Sequence, residues 1–100
     1  MPYIKKEDRI EIGLNEIYSL AENIEKHGAL GREGRLNYVI TRLLIHLYGA
    51  RDLSDELRGS LSYAKINEAL GVLEAIKQEF YRRAAGPYED KKIEENGDVY

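Results

Sequence analysis

The sequence predicts an all-α fold, with three main helices in a small bundle and a short ordered C-terminal segment. Hydrophobic residues recur with the helical period in three stretches, and glycine or proline separates these stretches from one another. The chain has 100 residues, the usual size of one domain, so we expect a single helical domain over 1–100. Within it, residues 1–86 form the helical body and residues 87–100 form an acidic C-terminal segment.

The first predicted helix runs from about Glu7 to His27. At 100° per residue, its apolar residues fall in one narrow stripe. These residues are Ile10, Leu14, Ile17, Ala21 and Ile24. Asp8 and Glu11 have the spacing of a capping box at its start, and Gly28 suits a left-handed stop at its end.

The second predicted helix is Arg35–Tyr48, which follows a connector with three glycines, Gly28–Gly34, and is closed by Gly49. Apolar residues occupy most of its circumference. They are Leu36, Val39, Ile40, Leu43, Leu44, Ile45 and Leu47. A helix this apolar is buried on more than one side, which in a chain this short indicates a partner subunit as well as an internal core.

The third predicted helix spans about Ser62–Ala85, after a polar loop at Ala50–Ser60. Ser62 or Ser60 is suited to cap its start, and we expect Gly86 and Pro87 to end it. One face of this helix is apolar. That face carries Ile66, Ala69, Leu70, Leu73, Ile76, Phe80 and Ala84. We therefore expect self-association through the second and third helices.

The C-terminal segment carries the whole net charge of the chain. Residues 1–88 hold 13 basic and 13 acidic side chains, whereas Glu89–Tyr100 holds five acids and two lysines, which gives −3. Pro87 can open a short helix through Glu95. We expect this acidic segment to be ordered and to dock against Arg82, Arg83 or a neighbouring subunit.

Several kinds of catalytic and metal site are excluded or disfavoured by composition and spacing. The chain has no cysteine, which excludes disulfides, thiolate zinc sites and cysteine nucleophiles. Neither His27 nor His46 has a glutamate three residues before it, as a di-iron bundle requires, and no serine lies in a nucleophile elbow. We therefore predict no catalytic residue, no metal and no cofactor.

The charge and hydropathy patterns also bear on location and partners. The N-terminus has no apolar stretch typical of a secretory signal, and no run of about 20 apolar residues could span a bilayer. A pI near 5.4 disfavours a general nucleic-acid binder. We therefore expect a cytoplasmic protein with no membrane partner and no nucleic-acid partner.

One cluster of planar cations and aromatic rings is the candidate ligand site. Arginine and tyrosine near a fixed turn can neutralise and stack on an anion or a nucleotide. The candidate residues are Tyr81, Arg82, Arg83 and Tyr88, with Arg42 contributed by a neighbouring subunit. The alternative interpretation is a helix C-terminus whose arginines interact with the helix dipole and pair with the acidic tail.

Three segments of the chain resemble a family of short uncharacterised proteins from bacteria and their phages. They are residues 1–9 (MPYIKKEDR), 34–41 (GRLNYVIT) and 79–100 (EFYRRAAGPYEDKKIEENGDVY), and the last is the most specific. The resemblance covers nearly the whole chain. It implies a phage or mobile-element context and assigns no catalytic residues.

These observations favour a non-enzymatic interaction protein, a phage or mobile-element accessory factor that acts as a homo-oligomer on a host protein. The first alternative is a binder of a small anion or nucleotide through the tyrosine and arginine cluster. The second is a metal-dependent nucleotide hydrolase that would use Glu22, Glu25 and Glu74.

Overall fold

The protein is all-α, as the sequence predicts. A computed structural model describes residues 4–49 and 61–100, and every regular element in these ranges is helical. The chain divides into two units, Met1–Ser60 and Leu61–Tyr100, each of which is treated by itself. The first unit contains α1 (Lys6–Ile12), α2 (Leu14–Ile24) and α3 (Arg32–Leu47). The second contains α4 (Tyr63–Phe80), a π-helical segment (Tyr81–Ala85) and α5 (Gly86–Asn96). The predicted loop at 50–60 lies outside the described residues.

The prediction of a single first helix is wrong, because Gly13 divides this stretch into α1 and α2. Gly13 has φ 84° and ψ 125°, a conformation that residues with a β-carbon rarely adopt. The Glu16 side chain lies where that β-carbon would be. The predicted capping box is also wrong: α1 begins at Lys6, and its N-cap residue Lys5 makes no side-chain capping bond.

A glycine turn connects α2 to α3, and it lies three residues earlier in the chain than the sequence predicts. Gly28 has the positive φ, 71°, that a left-handed stop requires, but the predicted helix end there is wrong, because α2 ends earlier, at Ile24, with Glu25 as its C-cap. Gly31 takes the left-handed conformation at the N-cap of α3. The helix starts at Arg32 rather than Arg35, because Gly31 supplies the left-handed turn immediately before it.

Two arginines in the first turn of α3 hold it against the preceding helix and turn. Arg35 Nη1 donates a hydrogen bond to the Asn23 carbonyl oxygen at 3.2 Å. Arg32 Nη2 lies 3.0 Å from Glu25 Oε1. These bonds fix the α2–α3 hairpin and determine which side of α3 faces α2.

The start of α4 agrees with the prediction, whereas its end does not. The Ser62 hydroxyl accepts a hydrogen bond from the Lys65 backbone N–H at 3.3 Å, which confirms Ser62 as the cap. The helical path does not stop at Gly86 and Pro87. It continues through the π-helical segment, in which the Gly86 N–H donates to the Tyr81 carbonyl five residues earlier.

The physical reason for the widened turn is Pro87. In an unbroken α-helix the proline ring would clash with the carbonyl of Arg83, four residues earlier. A turn with one additional residue moves that carbonyl away from the ring, so the chain stays helical instead of ending. The ordered C-terminal segment is confirmed as α5, which Gly97 terminates with a φ of 83°.

Candidate functional site

A concave surface of the first unit lies where α1 meets α2. This surface, the α1–α2 groove, has a volume of about 740 Å³. Isoleucine and leucine side chains form most of its lining, together with Lys6, Arg9, Gly13 and Asn15. The apolar members are Ile4, Ile10, Ile12, Leu14 and Ile17. Each of them is at least 50% exposed, so the groove is an open apolar surface rather than a closed core.

The charges around the α1–α2 groove are segregated. Of the charged residues of α1, the cations Lys6 and Arg9 line the groove. The three acids of this helix, Glu7, Asp8 and Glu11, are not among the lining residues. On a helical wheel Asp8 and Glu11 lie about 100° or more from both Lys6 and Ile10, and Glu7 lies between the two groups. Within the described ranges, neither Lys6 nor Arg9 is in an ion pair with another described residue. The groove thus combines an apolar floor with positive charge.

A smaller cleft of about 410 Å³ lies between α2 and α3. Leu20, Ile24, Tyr38 and Val39 line it, and Arg35 spans it to reach Asn23. Because the arginine is hydrogen-bonded within the hairpin, this cleft is better explained by packing of the two helices than by a ligand.

A second apolar surface lies on α3, away from the side that contacts α2. We name it the leucine stripe, which consists of Leu36, Ile40, Leu43 and Leu47. Their spacing of four, three and four residues is that of a coiled-coil seam. The three leucines are 45%, 50% and 70% exposed, and Ile40 is half-buried. The stripe therefore leaves a helix-packing surface open to solvent.

The structure brings the predicted cations Arg82 and Arg83 together, but on a carboxylate of the chain itself. Arg82 Nη2 lies 2.9 Å from both carboxylate oxygens of Glu79, and Arg83 Nε lies 2.9 Å from Oε1. Glu79 thus occupies the place that a bound anion would take between the two guanidinium groups. A small anion has to displace this carboxylate before it can bridge both arginines.

The predicted aromatic residues Tyr81 and Tyr88 also contact charged side chains nearby. The Tyr81 hydroxyl donates a hydrogen bond of 2.6 Å to Glu89 Oε1, which raises the pKa of the phenol, and the negative charge of Glu89 raises it further. The Lys92 ammonium lies 5.6 Å from the centre of the Tyr88 ring, at cation–π distance. The acidic segment therefore contacts the π-helical segment through Glu89 and Tyr81.

The candidate Arg42 and a lysine on α4, Lys77, have ordinary surface positions. Arg42 is exposed on α3, in the unit that does not contain the other four candidate residues. Lys77 extends into solvent, with its ammonium 4.0 Å from Glu74 Oε1. The Lys77 side chain is 78% exposed, so its ammonium stays hydrated and this contact is a weak surface ion pair.

The acids of the hydrolase alternative are not gathered into a metal site in the described part of the chain. No group of three or more histidine, aspartate or glutamate residues there could hold a metal ion. Glu25 pairs with Arg32, and Glu74 accepts a hydrogen bond from Gln78 at 3.3 Å. These carboxylates serve to connect neighbouring turns and elements.

The α1–α2 groove is the feature that sequence reasoning missed. The helical stripe correctly predicts which residues are apolar, but a straight helix would present them as a convex face. The groove exists because Gly13 bends the chain between Ile10 and Leu14. The available signal is the glycine itself, in the middle of an otherwise periodic run, where it costs about 1 kcal/mol relative to alanine.

No helix over residues 4–49 and 61–100 has the length and hydropathy needed to cross a bilayer.

Comparison with known proteins identifies a family without an assigned activity. No curated protein sequence and no solved structure is detectably similar to the chain. One family model, described as a domain of unknown function (DUF6899), matches residues 1–99. Since this match spans almost the entire chain, the protein belongs to the DUF6899 family.

Proposed function

We propose that this protein is a non-enzymatic interaction protein that acts as a homo-oligomer. The observation that carries the proposal is the leucine stripe, an exposed row of side chains with coiled-coil spacing. Exposed apolar surface of this kind typically marks an interface with another protein. A second copy offers the same row, and a two-fold dimer buries one such surface against its own copy.

The side of α3 on which the stripe lies supports this assignment. Arg35, Tyr38 and Val39 contribute to the contact with α2, and the stripe is centred about 115° away from them on the helical wheel. The intramolecular hairpin therefore does not use the stripe. A second helix packed there would remove three leucine side chains from water, each worth about 1.5–3 kcal/mol when fully buried.

The biological setting in this proposal comes from the resemblance of the terminal segments to short bacterial and phage proteins. We place the protein in the cytoplasm, as a phage or mobile-element accessory factor that acts on a host component. We infer a host protein as the target rather than a small substrate, because the described surface offers apolar contact area. The acidic residues of that surface are paired with neighbouring cations or lie dispersed on the helices.

The oligomer is tested by light scattering or sedimentation equilibrium on the full chain. The wild type is expected to sediment as an oligomer, and Leu43→Glu, which places a charge in the middle of the stripe, is expected to sediment as a monomer. Thr41→Glu is the matched control, because Thr41 lies on the same helix outside the stripe and is exposed. Far-UV circular dichroism of both variants confirms that α3 remains helical.

A monomeric wild type at concentrations of about 100 μM would contradict the proposal, because an interface of this kind should be populated well below that value. Equal dissociation of the Leu43→Glu and Thr41→Glu variants would contradict the role of the stripe.

A further inference from the structure

We infer that the α1–α2 groove is a binding site for an amphipathic helix that carries acidic residues beside its apolar face. The occupant is a helix of another protein, and its carboxylates meet Lys6 and Arg9. This goes beyond the homo-oligomer of the proposed function, because the lining of the groove contains no residue of the leucine stripe.

The floor of the groove supplies the apolar part of this recognition. Ile10 at the end of α1 and Leu14 and Ile17 at the start of α2 are 70%, 61% and 50% exposed. They converge because the positive φ of Gly13 turns the chain between them. Grooves of this type accept anchor side chains spaced three or four residues apart on one face of a helix.

The charge of the occupant follows from the segregation of charges on α1. Ile4, Lys6, Arg9 and Ile10 line the groove, whereas the three acids of α1 do not. An apolar helix flanked by lysine would bring like charges close to Lys6 and Arg9, and glutamate or aspartate at the same positions would form ion pairs at the rim. The described structure therefore favours an acidic partner over a basic one.

The shape of the groove depends on the conformation of Gly13. The positive φ of this glycine sets the direction in which α1 leaves α2, and the Glu16 side chain lies over it. A partner helix thus meets a preformed concave surface, so binding loses little conformational entropy on the side of this protein.

The experiment measures fluorescence anisotropy of a labelled synthetic peptide of about four helical turns, titrated with the full-length protein. The peptide carries leucine at positions i, i+3, i+4 and i+7, with glutamate on both sides of the leucine row. A second peptide replaces every glutamate with lysine. The acidic peptide is expected to bind about tenfold more tightly than the basic one.

Two protein variants separate charge recognition from folding. The double variant Lys6→Glu/Arg9→Glu reverses both charges that line the groove and is expected to invert the preference, so that the basic peptide becomes the better ligand. Loss of folding cannot produce such an inversion. Lys26→Glu is the matched control, because Lys26 is an exposed cation of the same unit that does not line the groove, and it should leave the preference unchanged.

Three outcomes would overturn the inference. They are equal affinity for the two peptides, no binding of either up to about 1 mM, and binding to anionic phosphatidylglycerol vesicles that is lost in the double variant, without binding to the acidic peptide. All titrations are repeated in Leu43→Glu. Binding that persists in this variant keeps the groove separate from the oligomer, whereas binding found only in the oligomer contradicts an α1–α2 site.

Discussion

The two units of the chain treat an interruption of helical sequence in opposite ways. In the first unit, periodicity predicts one helix through Gly13, and the structure breaks there. In the second unit, Gly86 and Pro87 predict a stop, and the structure continues through a π-helical segment. The difference shows that a breaker residue matters through the backbone conformation it adopts, because Gly13 has a positive φ whereas Gly86 has helical angles.

The helix break in the first unit creates a surface that can bind a partner. The uninterrupted helical path of the second unit changes which side chains share a face. Gly13 converts a convex apolar stripe into a concave groove. The π-helical segment adds one residue to two helical turns, so residues eight apart share a face instead of residues seven apart. Tyr81 and Glu89, which are eight residues apart, form their hydrogen bond because of this shift.

The largest expected effect is that of Gly13→Ala. A β-carbon at φ 84° is strained, and it would also collide with the Glu16 side chain. Holding a residue with a β-carbon in such a conformation costs about 1–3 kcal/mol. Urea unfolding is therefore expected to show a free energy of unfolding lower by this amount. The other expected outcome is that α1 and α2 straighten into one helix, which circular dichroism would detect as higher helicity.

The control for that variant is Gly71→Ala in the middle of α4. A β-carbon there would have no atom within 4 Å, and the backbone is regular helix. Alanine is expected to raise the free energy of unfolding by about 0.5–1 kcal/mol. The same change of stability in both variants, in sign and size, would contradict the contrast between the two glycines.

Much of the fold follows from the sequence, and the exceptions have a common origin. Helical periodicity predicts the apolar faces, a serine cap is predicted at the start of α4, and Gly49 predicts the end of α3. Apart from the capping box of α1, the errors concern backbone angles at Gly13, Gly31 and Pro87. Composition and spacing identify these positions as candidate helix breakers. A glycine takes helical or left-handed angles about equally well, so its backbone conformation depends on neighbouring side chains such as Glu16.

The candidate site is harder to predict than the fold, for a related reason. The sequence correctly places cations and aromatic rings near residue 82, but it cannot show that Glu79 lies between the arginines. That arrangement depends on spacings of three and four residues that many helices share without forming such pairs. The groove depends on a bend that periodicity alone does not reveal.

Pro87→Ala is the second prediction, and it tests the other side of the comparison. Without the ring, the carbonyl of Arg83 can accept a normal α-helical hydrogen bond, and the π-helical segment loses its cause. The free energy of unfolding is expected to rise by about 1–2 kcal/mol, less than the roughly 3 kcal/mol cost of proline in a rigid helix interior. Urea unfolding of the full chain measures it.

A second readout shows whether the register has changed in Pro87→Ala. In a regular α-helix Tyr81 and Glu89 point in directions about 80° apart, so their hydrogen bond should weaken. The pKa of the Tyr81 phenol is then expected to return toward its usual value. Ultraviolet titration measures this as the difference between Pro87→Ala and the double variant Pro87→Ala/Tyr81→Phe. An unchanged hydrogen bond, together with unchanged stability, would mean that Pro87 does not cause the widened turn.

The smallest expected effect concerns the pH dependence of the second unit. The hydrogen bond to Glu89 and its negative charge raise the pKa of Tyr81 above the usual value of about 10, because a phenolate would face a carboxylate. A group whose pKa is raised in the folded state stabilises the fold below its unfolded pKa. That contribution disappears as the pH rises through the folded value.

The comparison of wild type with Tyr81→Phe isolates this contribution, since the other tyrosines and the lysines titrate equally in both proteins. The difference in their urea midpoints should be constant below about pH 10 and should shrink above it. Glu89→Gln keeps a hydrogen-bond acceptor but removes the charge, so Tyr81 should then titrate closer to its usual pKa. A difference that grows with pH would contradict the sign of the shift, and the hydrogen bond would then not hold the two sides of the π-helical segment together.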